Sequence, residues 1–149
     1  MRANYKLKRL FVTAPLAAGA AVAVAPEQAH YLRNVLRFAD GAPLLAFNGR
    51  DGEWRCTFAA DGKKGALLTP VAPERSQPTA SDLVFCFAPL KAGRLDYMVE
   101  KAVEMGAGVL QPITTQFTQQ RNTNLDKMRS WAIEAAEQCG VLAIPNIRA

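Results

Sequence analysis

Lys91-Ala-Gly-Arg-Leu-Asp-Tyr-Met-Val-Glu-Lys-Ala-Val-Glu-Met-Gly106, followed by Val109-Leu-Gln-Pro-Ile-Thr114, is the stretch that decides the fold class. Leu95, Met98, Val99, Ala102 and Val103 recur at helical spacing, and Gly106 is placed to take the left-handed conformation that ends a helix. The pattern predicts a helix from about Ala92 to Met105 and a strand over Val109 to Thr114. Working outward, Leu83 to Ala88 is a continuous apolar run suited to a strand covered on both faces. On the other side, Thr123 and Asp126 have capping-box spacing, with Leu125, Met128, Ala132, Ala135 and Cys139 at helical spacing behind them. Strand, helix, strand, helix with short joints implies a right-handed parallel unit. The next parallel strand and its ligand-binding loops are expected to begin where the sequence stops, at Ala149.

The first half reads differently. Lys6 to Thr13 and Val22 to Ala25 are strand-like, and Pro26-Glu27 opens a helix through about Arg37. After an Asp40-Gly41 turn, Leu44 to Phe47 and Glu53 to Phe58 flank the turn-rich Asn48-Gly-Arg-Asp-Gly52. Asp61-Gly-Lys-Lys-Gly65 then precedes a strand over Ala66 to Thr69. Trp54, Cys56 and Phe58 alternate with Glu53, Arg55 and Thr57, the period of a half-buried antiparallel sheet. A small, mostly antiparallel barrel with one helix is expected. Pro70, Pro73 and Pro78 among polar residues mark Pro70 to Ser81 as a linker. The chain is therefore an α+β protein of two modules: a barrel over residues 1–72, a linker over 73–82, and a parallel α/β domain over 83–149.

Charge divides the halves as well. Residues 1–75 hold 11 Lys/Arg against 6 Asp/Glu, and residues 76–149 hold 7 of each, so the whole net charge of +5 lies in the first half. That favours a polyanion-binding module in front of a scaffold or catalytic one. Cys56, Cys86 and Cys139 are widely spaced with no CxxC, which suggests neither a disulfide framework nor a zinc site and fits a reducing cytoplasm. Arg2, Lys6, Lys8 and Arg9 ahead of the apolar run Leu10 to Ala25 mimic a secretory signal, but Pro15 and Gly19 break the run and it is too short for a membrane span.

His30, Arg33 and Arg37, three and four apart, form a basic stripe on the first expected helix beside an apolar one of Leu32, Val35 and Leu36. Such a face suits phosphates and unpaired bases, or is simply a solvated face. Lys91 and Arg94 lie at the carboxyl end of a parallel strand, the edge where open α/β sheets bind ligands. They steer a phosphate or serve as ordinary charges at a helix start. Asp96, Glu100 and Glu104 recur every four residues on one face, with no partner histidine to suggest acid/base or metal chemistry, and read as a solvated or subunit-facing edge. Glu134 and Gln138 share a face that can line a pocket or a dimer contact. Cys139 reads as a small buried group. No phosphate-binding glycine loop, triad elbow or metal motif is present.

Arg9-Leu-Phe-Val, His30-Tyr-Leu-Arg-Asn-Val-Leu-Arg37, Asp40-Gly41, Lys91-Ala-Gly-Arg94, Glu100-Lys-Ala-Val-Glu-Met-Gly106, Trp131 and Glu134-Ala-Ala-Glu-Gln138 before Pro145 together resemble the bacterial 16S ribosomal RNA uridine-N3 methyltransferase family, RsmE, of the SPOUT (trefoil-knot) superfamily. The resemblance implies a PUA-like RNA-binding barrel joined to an S-adenosylmethionine-dependent methyltransferase domain that works as a cytoplasmic homodimer on 16S rRNA or the small ribosomal subunit, without a metal. It carries Arg9, Arg33 and Arg37 over as RNA contacts; His30, Lys91 and Arg94 are expected to bind RNA with them, Lys91 and Arg94 from near the active-site edge or subunit contact. Glu104, Glu134 and Gln138 carry over as positions at the active-site edge or the dimer contact. Two departures stand out. The family usually places an arginine after the glycine that here is Gly140, where this chain has Val141, and it tends to an Arg-Ser pair where this chain has Gln116-Phe117. The knotted segment that binds the cofactor has no counterpart before Ala149, so this chain is expected to be a truncated form lacking most of the cofactor pocket. A non-catalytic RNA-binding protein with a vestigial α/β half, or a small-molecule enzyme using Lys91 and Arg94, are the competing expectations.

Overall fold

The computed structural model describes residues 2–91, 93–118 and 123–149, and these form two compact units, Met1–Gln77 and Pro78–Ala149. The first unit runs β1 (Arg9–Phe11), β2 (Val22–Ala23), α1 (Pro26–His30), β3 (Pro43–Phe47), β4 (Glu53–Asp61) and β5 (Gly65–Arg75). Its strands make one curled mixed sheet in the order β1-β3-β4-β5-β2. The β1–β3 pair is parallel and the others are antiparallel. The apolar segment that mimics a signal, Leu10 to Ala25, is spent on β1, a loop and β2. Leu10, Val12, Leu16 and Val22 join Ala29, Leu32, Leu44, Ala46, Cys56, Phe58, Ala66 and Leu68 in one core.

β5 is longer than its sequence suggests. It passes through Pro70 and Pro73, inside the expected linker, because two register shifts against β4 leave Val71 and Glu74 unpaired beside them. A bulge relieves the ladder of the N–H that proline lacks. The alternation of β4 holds for Cys56 and Phe58, which face the core. Glu53, expected on the solvent side, has no solvent exposure because Arg9 and Arg75 cover it.

α1 starts with Pro26 at its first turn, and the Gln28 side chain accepts from the Ala25 N–H while donating to the Phe11 carbonyl. The helical path then widens into a π-turn over Tyr31–Val35, where the Leu36 N–H bonds the Tyr31 carbonyl five residues back. It ends at Arg37, which takes φ 53°, the left-handed conformation more usual for glycine. A regular α-helix to Arg37 is thus not what forms.

The second unit runs β6 (Val84–Phe87), α2 (Leu95–Glu104), β7 (Val109–Pro112), α3 (Leu125–Cys139) and β8 (Asn146–Ile147), with a three-stranded parallel sheet in the order β6-β7-β8. The third parallel strand, expected after Ala149, therefore begins at Asn146. The stripe of α2 buries Leu95, Val99 and Val103, and α3 buries Met128, Ala132, Ala135 and Ala136. The expected start of α2 at Ala92 lies outside the described residues. α3 is capped one residue later than its sequence suggests: Asn124 Oδ1, not the Thr123 hydroxyl, accepts the Lys127 N–H. Gly106 and Gly140 take the left-handed conformation at the helix ends. β6 is not covered on both faces: Val84 and Phe85 are exposed, with Leu83 beside them, and Phe87 alone is buried. Gly108 sits so close to the chain that a Cβ there would lie 1.8 Å from the Ser81 carbonyl oxygen.

Candidate functional site

The three arginines singled out in the first unit reach different places. Arg9 is interior: its Nε donates to Glu53 Oε2, its Nη2 donates to the Asn4 carbonyl at 3.2 Å, and Tyr5 lies over its guanidinium. Arg75 closes the cluster from β5, Nε to Glu53 Oε1 at 2.7 Å and Nη2 to Oε2 at 3.0 Å. Burial pushes the Glu53 carboxyl up, but the hydrogen bonds and charges of Arg75 and Arg9 outweigh it and hold the group below the usual carboxylate range. The expectation that Arg9 offers its charge to a phosphate is thus corrected: the guanidinium faces inward to neutralise Glu53, a partner 44 residues away that no local pattern announces.

Arg33 leaves the stripe too. The π-turn swings it towards the β4–β5 turn, where its Nη1 donates to the Gly65 carbonyl at 2.7 Å and the Gly62 carbonyl at 3.1 Å. This brackets Lys63 and Lys64, both exposed, so the three cations form a patch on the hairpin tip. In the sequence the two lysines carry no signal beyond the turn that Gly62 and Gly65 mark around them. His30 is exposed, with Nδ1 2.7 Å from Asn34 Nδ2, and Arg37 is exposed with no ion-pair partner among the described residues.

In the second unit, parallel pairing of β6 with β7 brings the loops after Phe87 and after Pro112 out at the same end of the sheet. Between them lies a groove of about 550 Å³ walled by Pro89, Leu90, Lys91, Arg94, Phe117 and Thr118. Lys91 and Arg94 are exposed and carry no ion pair among the described residues. Phe117, not singled out as a site residue, is 84% exposed. The signal was available: an aromatic within the polar run Thr114 to Gln119, matched to no helical or strand periodicity.

A second groove, about 410 Å³ between α2 and α3, brings Glu134 and Gln138 together with Asp96, Tyr97, Glu100 and Trp131. Glu104 lines neither groove. It binds Lys101 Nζ through both carboxylate oxygens at 2.9 Å, and this bond, with the one from Glu100, pushes the Lys101 ammonium up to about 12. A third groove, about 600 Å³, is walled by Leu83, Phe85, Leu90, Tyr97, Met98 and Met105.

None of the three offers a counter-charge to every charged group of S-adenosylmethionine. The Lys91/Arg94 groove opposes a sulfonium cation, and the apolar groove offers little to ribose hydroxyls. The α2–α3 groove, with Asp96, Glu100 and Glu134, suits the donor's sulfonium and ammonium but offers no cation to its carboxylate. Among the described residues, no cluster of three His, Cys, Asp or Glu is arranged to hold a metal ion, and no helix is long and apolar enough to cross a membrane.

A family model described as an RNA methyltransferase PUA domain matches residues 24–71, and one described as an RNA methyltransferase domain matches residues 77–149. The chain is 28% identical over 143 residues to the ribosomal RNA small subunit methyltransferase E of Rickettsia conorii, covering 95% of this chain and 59% of that protein. Two solved structures share its fold at 21% identity. One is a putative methyltransferase from Legionella pneumophila in complex with SAM, with TM-score 0.84 over 96% of this chain and 62% of that one. The other is a ribosomal RNA small subunit methyltransferase E from Neisseria gonorrhoeae bound to S-adenosyl methionine, with TM-score 0.83 over 95% of this chain and 60% of that one. The chain thus spans about 60% of the length of these relatives.

Proposed function

Because the chain is RsmE-like, a PUA module followed by RNA methyltransferase sequence, we propose that the whole protein methylates N3 of a uridine in 16S ribosomal RNA with S-adenosylmethionine as donor. The observation that carries this is the order of the two matched segments, 24–71 and 77–149, along one chain. The donor supplies an electrophilic methyl group on sulfur. This chain's own residues bind and orient RNA: Arg33, Arg37, Lys63 and Lys64 from the first unit, Lys91 and Arg94 from the sheet edge of the second. Arg9 acts from inside, holding Glu53 so that β1, β4 and β5 keep their relation. The proposal places the protein in the cytoplasm and pairs it into a homodimer. The support for pairing is the exposed apolar surface of the second unit, Leu83, Phe85, Leu90, Tyr97 and Met105, which a second copy would cover.

Incubating the whole protein with S-adenosylmethionine and unmodified small-subunit RNA is expected to yield 3-methyluridine, read by mass spectrometry of the digested RNA. Methylation of another base, or none, overturns the proposal. A second reading is favoured by the poor fit of the donor to the three grooves: these 149 residues bind RNA without transferring a methyl group. Calorimetric titration of the chain with S-adenosylmethionine separates the two, since tight binding would remove the second reading.

A further inference from the structure

Phe117 stands almost wholly in water at the end of the parallel sheet, where burial of such a ring elsewhere would gain about 1.5–3 kcal/mol. Its loop keeps it there. The Thr115 N–H donates to Thr118 Oγ1 at 2.7 Å, the Thr118 N–H donates to the Thr115 carbonyl at 3.2 Å, and the two threonine hydroxyls are 3.0 Å apart. These bonds close a turn on itself, so its polar groups are satisfied while the ring is left outward, an arrangement that threonine hydroxyls favour. Across the groove stand Lys91 and Arg94, held where the helix start places them by the Arg94 and Leu95 N–H bonds to the Lys91 carbonyl. A volume of about 550 Å³ lies within the range of small-ligand sites.

An exposed aromatic face and two cations that carry no ion pair among the described residues stand around one groove, and these are the two elements by which proteins grip single-stranded nucleic acid: a ring for a base and positive charge for its backbone. We propose that Phe117 is a stacking platform for an unpaired nucleobase, and that Lys91 and Arg94 take the phosphates flanking that base. This rests on the RNA reading above and assigns a residue to it where the resembled family tends to an Arg-Ser pair. The groove selects for an unpaired nucleotide because a base inside a duplex is stacked on its neighbours and presents no face to the ring. The proposal concerns binding and orientation, and involves no covalent step.

The test measures affinity of the 149-residue chain for a short single-stranded uridine-rich RNA across a salt series, for wild type, Phe117→Ala, Phe117→Trp and the double variant Lys91→Ala/Arg94→Ala. Phe117→Ala is expected to weaken binding by about 5- to 150-fold with an unchanged salt slope, since stacking releases no counterions. Phe117→Trp is expected to restore affinity, and its added emission is expected to be quenched by the RNA. The double cation variant is expected to lower the slope of log K against log salt by about 1.4, two phosphate contacts' worth for a single strand. Wild-type binding that Phe117→Ala leaves unchanged, with Phe117→Trp emission that RNA does not alter, overturns the stacking platform and spares the RNA reading. Wild-type chain that binds no RNA takes down the RNA reading and the platform with it. A Phe117→Ala chain whose sedimentation changes while its RNA affinity does not shows the ring to belong to a protein interface, and likewise overturns the proposal.

Discussion

In the first unit a fully buried carboxylate, Glu53, holds two guanidiniums, whereas in the second Lys91 and Arg94 stand at a groove mouth with no counter-charge among the described residues. The formal charges point the other way: the first half carries all of the +5 and the second is neutral. Arg9 and Arg75 answer Glu53 and Arg55 answers Glu74, so part of the first unit's positive charge is used internally. Apolar groups show the reverse contrast. Of the large hydrophobics exposed among the described residues, Tyr5, Val35 and Val71 lie in the first unit and eight lie in the second. Net charge per module therefore does not say which cations face outward: both units offer some, and the pairing of each cation decides.

The sharpest way to break the contrast is Glu53→Ala, which leaves Arg9 buried without its counter-charge and is expected to cost about 3–5 kcal/mol. The two tryptophans fall one to each unit, Trp54 in β4 and Trp131 in α3. In Trp131→Phe and Trp54→Phe backgrounds, urea unfolding followed by fluorescence should show the loss in the Trp54 signal alone. An equal loss in the Trp131 signal would mean that the units do not unfold independently. Gly108→Ala strikes the second unit in the same assay: the added Cβ meets the Ser81 carbonyl oxygen, and an expected cost of about 1–3 kcal/mol should appear in the Trp131 signal.

Acid sharpens the comparison further. Folding depresses the Glu53 carboxyl, and it also depresses Asp51, chiefly through the Leu16 N–H and then the Asn48 amide. Their stabilising contribution is complete above the ordinary carboxylate values and is lost as pH falls through the depressed ones. The Trp54 transition should move to lower urea on acidification below about pH 4, and Glu53→Gln should flatten that dependence. Arg33→Ala, which frees the β4–β5 turn, is expected to cost about 1 kcal/mol in the Trp54 signal and to weaken RNA binding. Lys101→Met is the smallest: a partly exposed lysine shared between Glu100 and Glu104 should leave both transitions unmoved.

The elements most legible in the sequence are those whose cause is local. Leu95, Val99 and Val103 announced α2 by spacing, and Gly106 and Gly140 announced its end and that of α3. What stayed hidden depends on distant partners. Pro70 and Pro73 read as a linker because bulges exist only once β4 is paired, and Arg9 read as a surface cation because Glu53 lies far along the chain. The basic stripe of His30, Arg33 and Arg37 assumed a regular helix, and the π-turn over Tyr31–Val35 took it apart. Lys91 and Arg94 were placed at the carboxyl end of β6 by chain order alone, and the structure sets them there with Phe117, which nothing periodic had marked.

Cys86 sits exposed in β6, while Cys139 is half-buried and burial pushes the Cys56 thiol up to about 12. Alkylation therefore begins on that strand, and its rate is a clock for whatever comes to lie on it. A maleimide reaction slowed by raising protein concentration would record a second copy arriving, and one slowed by RNA would record a nucleic acid doing so, each without any engineered label.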